Sequence, residues 1–511
     1  MEDKYAVLQK VFGYDAFRPG QEEIVDRLLA GGDVLAVMPT GAGKSLCYQL
    51  PALLLPGVTV VVSPLISLMK DQVQSLLQMG VRAAYINSTL TEGQCRRALQ
   101  NAAAGVYKVV YAAPERLLTP GFLHFAQMVS ISLLCVDEAH CVSQWGQDFR
   151  PSYQQIRQFA AQLSAPPPVG SFTATATARV RQDIRQMLAL RDPLEITTGF
   201  DRPSLWFEVQ RLRPAEKYPV LAMYLEEHPH ATGIVYCATR KAVDEVYGRL
   251  AADGYAAARY HAGMPPDERQ ASQDAFVYDR ARVMVATNAF GMGIDKSNVG
   301  FVIHYNMPLD IESYYQEAGR AGRDGQPADC ILLYAPGDVR MGRFLIENSE
   351  PPPDAGPGQQ AQLRQAQEER LKRMTFYCNS TRCLRGELLW YFGERAPRAC
   401  TGCGVCRPNG QRAAVAALAA RRHRGRAAQE EQGLDAALLE KLKALRLALA
   451  RRAGVPAFVV FTDATLRDMC RKRPHDTAQM RAVSGVGQAK LQRYGQDFLA
   501  EIAAYEQARG E

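Results

Sequence analysis

A chain of 511 residues exceeds what one hydrophobic core serves, so about three or four domains are expected. Apolar residues make up 47% and charged residues 22%, which excludes a disordered or fibrous chain and leaves ordinary globular domains. The net charge of +7 is too mild to name a polyanionic partner alone, and no apolar run reaches the roughly 18–20 residues of a bilayer span.

In chain order, short β-branched runs at 33–38, 58–63, 107–111, 131–136 and 170–173 predict strands. Amphipathic stretches such as 21–30 and 67–79 predict helices between them. That alternation predicts a parallel sheet covered on both faces. A second series starts near 203 and continues at 233–237, 256–260, 282–286, 300–304 and 330–334, a second α/β domain of similar size. After 340 the style changes. EPPPDAGPGQ (350–359) reads as a flexible loop, 360–377 as a charged helix, and the Arg- and Ala-rich 407–433 as a linker or exposed helix. From Leu434, leucines at 438, 439, 442, 445 and 449 predict a small all-helical domain. The expected domains are 1–200, 201–340, 341–408 and 434–511, with a basic linker at 409–433.

MPTGAGKS (38–45) stands between a strand and a helix. A turn through Thr40, Gly41, Ala42 and Gly43 lets backbone N–H groups close around phosphates at a helix N-terminus. Lys44 would reach the β- and γ-phosphates and Ser45 would ligate Mg²⁺. Met38 stands where the generic pattern has glycine, and Pro39-Thr40-Gly41 is the helicase form of the loop. CVDEAHCVSQWGQDFRPSY (135–153) ends a later strand on two acids. Asp137 would hold the metal, and Glu138 would orient and deprotonate a water. The same loop carries Trp145, Phe149 and Arg150, suited either to stacking bases or to plugging an interdomain cleft. In SYYQEAGRAGRDG (313–325), Arg320 and Arg323 are three apart on a helix turn, and would stabilise transition-state charge on the γ-phosphate.

In this order, the elements resemble a superfamily 2 helicase, and more narrowly the RecQ family. FGYDAFRPGQEE (12–23), SPLISLMKDQ (63–72), YAAPERL (111–117), SFTATAT (171–177), YCATRK (236–241), YHAGM (260–264) and VATNAFGMGIDK (285–296) carry the resemblance. It implies two tandem RecA-like domains of α/β class, a helical zinc-binding platform and a small all-α HRDC-like domain. It implies that Tyr14 stacks on adenine while Arg18 and Gln21 hydrogen-bond near the base. SQWGQDFRPSY resembles the loop that senses single-stranded DNA and licenses hydrolysis, with Gln147 where the family usually has histidine. The resemblance further implies an ATP- and Mg²⁺-dependent helicase moving 3′→5′ on single-stranded and tailed duplex DNA in recombination and repair. A monomer, a single-stranded DNA-binding protein as partner and a cytoplasmic, nucleoid-associated location go with it.

MEDKYAVLQK has neither the basic start nor the apolar core of a secretory signal, so an intracellular chain is expected and its twelve cysteines are not read as disulfides. Cys135, Cys237 and Cys330 sit in apolar runs as core residues. Cys383, Cys400, Cys403 and Cys406 have the spacing of a closed tetrahedral Zn²⁺ site, with Cys378 as a fifth candidate that the family pattern passes over. Many RecQ proteins follow this platform with a winged helix, but the 27 residues between Cys406 and Leu434 are too few for a domain of about 50. The arginine-rich 412–426 stretch would hold phosphates or be a solvated linker. Gly485-Val486-Gly487 and Lys490 would face DNA phosphate, contact protein or serve the fold alone. Two rival functions remain: an RNA-dependent remodelling ATPase, and a DNA-binding or annealing scaffold with weak catalysis.

Overall fold

The computed structural model describes residues 3–143, 149–290, 296–349, 356–407 and 435–509. They form two compact units, residues up to Gly199 together with the C-terminal helices, and residues from Phe200 through the cysteine platform.

The first unit is built on seven strands: Val34–Val37 (β1), Val58–Val62 (β2), Ala83–Ile86 (β3), Val109–Ala112 (β4), Ile131–Val136 (β5), Val169–Thr173 (β6) and Leu194–Thr197 (β7). All pair in parallel, in the order β3-β4-β2-β5-β6-β1-β7. The central strands are continuous apolar runs because helices cover both faces, and every residue of β1, β2 and β4 is buried. The two strands that the β-branched runs did not predict, β3 and β7, are the sheet's edges. Each is half-exposed, and their sequences AAYI and LEIT lack a long apolar signal. A crossover puts β6 between β1 and β5, so the turns following these three strands open side by side at the carboxyl edge, where α/β sheets bind ligands.

The C-terminal helices of this unit form their own core. Leu438, Leu439, Leu442 and Leu449 are buried and Leu445 packs against them, as the leucine spacing predicts. Phe461 meets Phe498 edge-on at 5.1 Å, and the buried Arg446 donates to Asp463 at 2.5 Å.

The second unit has six parallel strands: Leu205–Arg211 (β8), Gly233–Tyr236 (β9), Ala257–Tyr260 (β10), Val283–Ala286 (β11), Phe301–His304 (β12) and Ala328–Tyr334 (β13). Their order is β10-β11-β9-β12-β13-β8. The charged stretch after 350 becomes a helix at Pro357–Asn379, starting within the segment expected as loop. Proline at the first helical position explains the start, because the N–H it lacks has no partner there anyway. A shorter helix, Leu384–Tyr391, follows, and the cysteine loop lies beyond it. The 409–433 linker, including the basic 412–426 stretch, lies outside the described residues.

Candidate active site

The turn after β1 is shaped by glycine. Gly41 and Gly43 both sit at φ +84°, in left-handed conformations that a side chain would strain. Gly43 caps the helix Lys44–Leu54, which sets Thr40, Gly41, Ala42, Gly43, Lys44 and Ser45 around one helix N-terminus. Lys44 Nζ donates to the Met38 carbonyl at 3.1 Å. The segment upstream is tied to this turn. Arg18 Nη1 donates to Gly41 O at 2.6 Å, and Gln21 Nε2 donates to Ala42 O at 3.0 Å and Gly43 O at 3.3 Å. A Cβ on Gly43 would come within 2.5 Å of that amide nitrogen, so a side chain there would displace the Gln21 amide. Tyr14 stands nearby in sequence with 38% of its surface exposed, a flat face open to solvent.

Asp137 and Glu138 follow β5. The Asp137 N–H donates to Val62 O at 2.9 Å, which carries the sheet register into the turn. Burial, reinforced by the charge of Glu138, pushes Asp137 up to about 7, while Lys44 acts against it. A carboxylate held so is short of positive charge, and with the Ser45 hydroxyl it makes a hard-oxygen donor set that fits Mg²⁺. Glu138 is left-handed (φ 47°, ψ 48°), a conformation disfavoured for a non-glycine residue and concentrated at functional sites. Its Oε2 is buried without a hydrogen bond, 3.4 Å from His140 Nδ1. His140 Nδ1 also lies 2.9 Å from Thr173 Oγ1, and Thr173 donates to Thr175 O at 3.0 Å. This link from the acidic turn to the SFTATAT segment was not readable from spacing, though both partners lie in quoted motifs.

Of the aromatic loop, Trp145 and Gln147 lie outside the described residues. Phe149 and Arg150 are half-buried, and Arg150 Nη1 donates to Pro64 O at 3.1 Å, which fastens the loop to the SPLISLMKDQ segment.

In the second unit, the helix Ile311–Ala318 ends before Arg320. Both Arg320 and Arg323 therefore stand in the turn that follows, not on a helix as the spacing suggests, and Gly322 between them takes φ +60°. Arg202, which sequence reading missed, grips this turn by donating to Gly319 O (3.3 Å), Ala321 O (3.0 Å) and Gly322 O (3.1 Å).

The thiols of Cys383, Cys400, Cys403 and Cys406 lie within 4.8 Å of one another, and Cys378 is not among them. Backbone N–H groups of Gly386 (3.3 Å), Cys400 (3.3 Å) and Cys406 (3.5 Å) donate to the sulfurs of Cys383, Cys406 and Cys403. The Cys400–Cys403 contact pulls Cys403 down and pushes Cys400 up. Four sulfurs with no open side fit a structural Zn²⁺. The loop is also stitched to the sheet: Phe207 N–H donates to Gly402 O at 3.0 Å and Gly404 N–H to Phe207 O at 2.9 Å, which covers the free edge of β8.

The turn at Gly485-Val486-Gly487 makes a backbone contact within the first unit. The Gly485 N–H donates to the Gly13 carbonyl at 2.7 Å, and Lys490 is tucked 5.9 Å from the Phe461 ring, where desolvation pulls its ammonium down to about 8.

Family models match most of the chain: DEAD/DEAH box helicase over 18–184, helicase conserved C-terminal domain over 216–325, RecQ zinc-binding over 336–407 and HRDC domain over 435–502. The chain is similar to the ATP-dependent DNA helicase RecQ of Bacillus subtilis (strain 168), 37% identical over 98% of this chain and 98% of the relative. It is also similar to the ATP-dependent DNA helicase RecQ of Pasteurella multocida (strain Pm70), 34% identical over 97% and 93%. The first alignment runs over 593 positions against 511 residues, so at least 82 positions are gaps on this chain's side. The zinc-binding and HRDC matches leave only residues 408–434 between them, too few for a further domain of about 50 residues. Among solved structures, the DEAD-box helicase Mss116 bound to ssRNA and UDP-BeF is similar with a TM-score of 0.56 at 16% identity, over 74% of this chain and 87% of that one. At that identity the likeness speaks for the paired RecA-like fold alone.

Proposed function

The chain belongs to the RecQ family of ATP-dependent DNA helicases, and we propose that it couples ATP hydrolysis to DNA strand separation through the loops after β1 and β5. The observation that carries the reading is the alignment of three turns at one sheet edge: Lys44 after β1, Asp137-Glu138 after β5 and Thr173 ending β6 between them. Gly41–Gly43 and the helix N-terminus bind phosphates, and Lys44 leaves the Met38 carbonyl for the β- and γ-phosphates. Tyr14 takes the adenine face, with Arg18 and Gln21 at its edge. Mg²⁺, held by Ser45 and Asp137, neutralises phosphate charge when bound. Glu138 orients the attacking water and takes its proton, with an Oε2 that is buried and makes no hydrogen bond. Arg320 and Arg323, braced by Arg202, stabilise the transition-state charge, a contribution of about 10³–10⁵ in rate. Phe149, Arg150 and Trp145 sense single-stranded DNA close to the acidic turn.

We assign the enzyme 3′→5′ movement on single-stranded and tailed duplex DNA in recombination and repair. We also assign it a monomeric state and a single-stranded DNA-binding protein as partner. The test is unwinding of a 3′-tailed duplex by wild type and Lys44→Ala, with ATPase measured alongside on single-stranded DNA and on RNA. The expected result is unwinding and DNA-stimulated turnover in wild type, both lost in Lys44→Ala, with RNA a poor activator. DNA-stimulated turnover without strand separation would leave a translocase or annealer.

A further inference from the structure

The C-terminal helical domain touches the nucleotide loop's own backbone. Gly13, at φ +75°, ends the five-residue π-helical turn Leu8–Phe12 and directly precedes Tyr14. Its carbonyl takes the Gly485 N–H at 2.7 Å. No side chain fits between the two backbones. A Cβ on Gly13 would stand 2.6 Å from Val486 N, and one on Gly487 would stand 2.4 Å from Val11 O. The contact widens around Gln78, whose side-chain oxygen accepts from Tyr494 OH at 3.1 Å and from Arg493, and around Gly80, which faces Ala489. A π-helical turn is rare and recurs at functional places. From it the chain runs through irregular residues to Arg18 and Gln21, which are bonded to the phosphate turn.

We propose that the C-terminal domain is a positioning element for the adenine loop: by holding Gly13 it fixes where Tyr14 is presented and so sets the affinity for adenine nucleotides. The proposal rests on the reading of Tyr14 as the adenine contact. A loop ordered beforehand loses less freedom when the base arrives, so the docked domain strengthens binding without touching the nucleotide. Linkage makes the effect mutual, and bound nucleotide tightens the docking by the same factor. Gly13 and Gly487 then have one explanation, since backbone must meet backbone at this contact.

Two wedges in the full chain test it. Gly487→Val drives a side chain at the Val11 carbonyl, and Ala489→Arg pushes on Gly80 from a half-buried position outside the domain's core. A Gly80→Cys/Ala489→Cys pair reports docking, because the Cβ separation of 3.4 Å lies near the short end of the disulfide range of about 3.5–4.5 Å. Gly487→Val is expected to stop the pair from oxidising, and each wedge to raise the Kd of a fluorescent ATP analogue about fivefold or more. DNA-saturated kcat at saturating ATP should stay within about twofold of wild type, since chemistry is untouched. Without a wedge, the cysteine pair should oxidise faster with the analogue bound, and the oxidised protein should keep its affinity. Wedged protein that no longer oxidises yet binds the analogue as wild type overturns the proposal. Tyr14→Ala keeps the two ideas apart: wild-type affinity in that variant sinks the adenine reading, whereas weakened affinity there with inert wedges sinks the coupling alone.

Discussion

Glu138→Gln is expected to lower DNA-stimulated kcat by about 10²–10⁴-fold while nucleotide Kd stays within about threefold of wild type. Glutamine has the shape of glutamate and can still accept from His140 or a water, but it cannot take a proton. The change is therefore confined to the step in which water attacks. Glu138 does not hold the phosphate turn, which is secured by Gly43, Arg18 and Gln21, so binding has no reason to fall. Asp137 gains from the change, since the neighbouring negative charge that helps raise it is gone. Lys44→Ala predicts a different pattern, with Kd and kcat both worsened, because its ammonium meets the phosphates in the ground state as well. Measuring kcat and Kd separately on single-stranded DNA decides between the two roles. A glutamine variant that turns over at more than about a tenth of the wild-type rate would remove Glu138 as the base.

The parts of this site written as local chemistry were legible in the sequence. A strand, a glycine turn and a lysine announce a phosphate loop because each element is decided by a few adjacent residues, and the cysteine spacing announces a metal site for the same reason. Buried strands such as VTVVV were equally plain. What escaped depends on distant partners. β3 and β7 are edges whose half-exposed sequences carry little apolar signal. Arg320 and Arg323 looked helical because their spacing is helical, but the helix ends at Ala318, before either of them. Arg202 reads as an ordinary surface cation until the Gly319–Gly322 turn folds against it. Gly485 offered its amide equally to a phosphate or a carbonyl, and only the folded chain brings Gly13 to it. Trp145, the most telling aromatic in the sequence, falls outside the described residues, so its role rests on the resemblance.

Removing the metal from the four-cysteine cluster should do more than loosen a surface loop. Structural Zn²⁺ sites contribute apparent binding energies of about 10–16 kcal/mol at neutral pH, comparable to the stability of a whole domain. Without the ion, thiolates within 4.8 Å repel unless protonated, and the loop around Gly402 and Gly404 loses its reason to stay on β8. An uncovered edge of a parallel sheet is an aggregation template. The damage also reaches the arginine turn. Phe392, just past the platform helix, stacks on Phe200 at 4.4 Å and packs on Tyr315, while Tyr391 OH donates to Glu312 at 2.5 Å. Tyr315 and Glu312 belong to the helix Ile311–Ala318 that leads into Arg320 and Arg323. A shift of about 1 Å in a group that stabilises a transition state can cost about 10²-fold in rate. Chelator-treated protein and Cys403→Ser are therefore expected to show an added low-temperature unfolding transition, a tendency to aggregate, and kcat lower by about tenfold or more. Nucleotide Kd should hold, because the phosphate turn and the adenine loop belong to the other unit. Calorimetry with zinc content measured on the same sample checks the first part, and stopped-time ATPase assays check the second. Metal-free protein that melts and turns over like the holoprotein would refute a structural role, and a loss of nucleotide affinity equal to the loss of kcat would refute the route through the arginine turn.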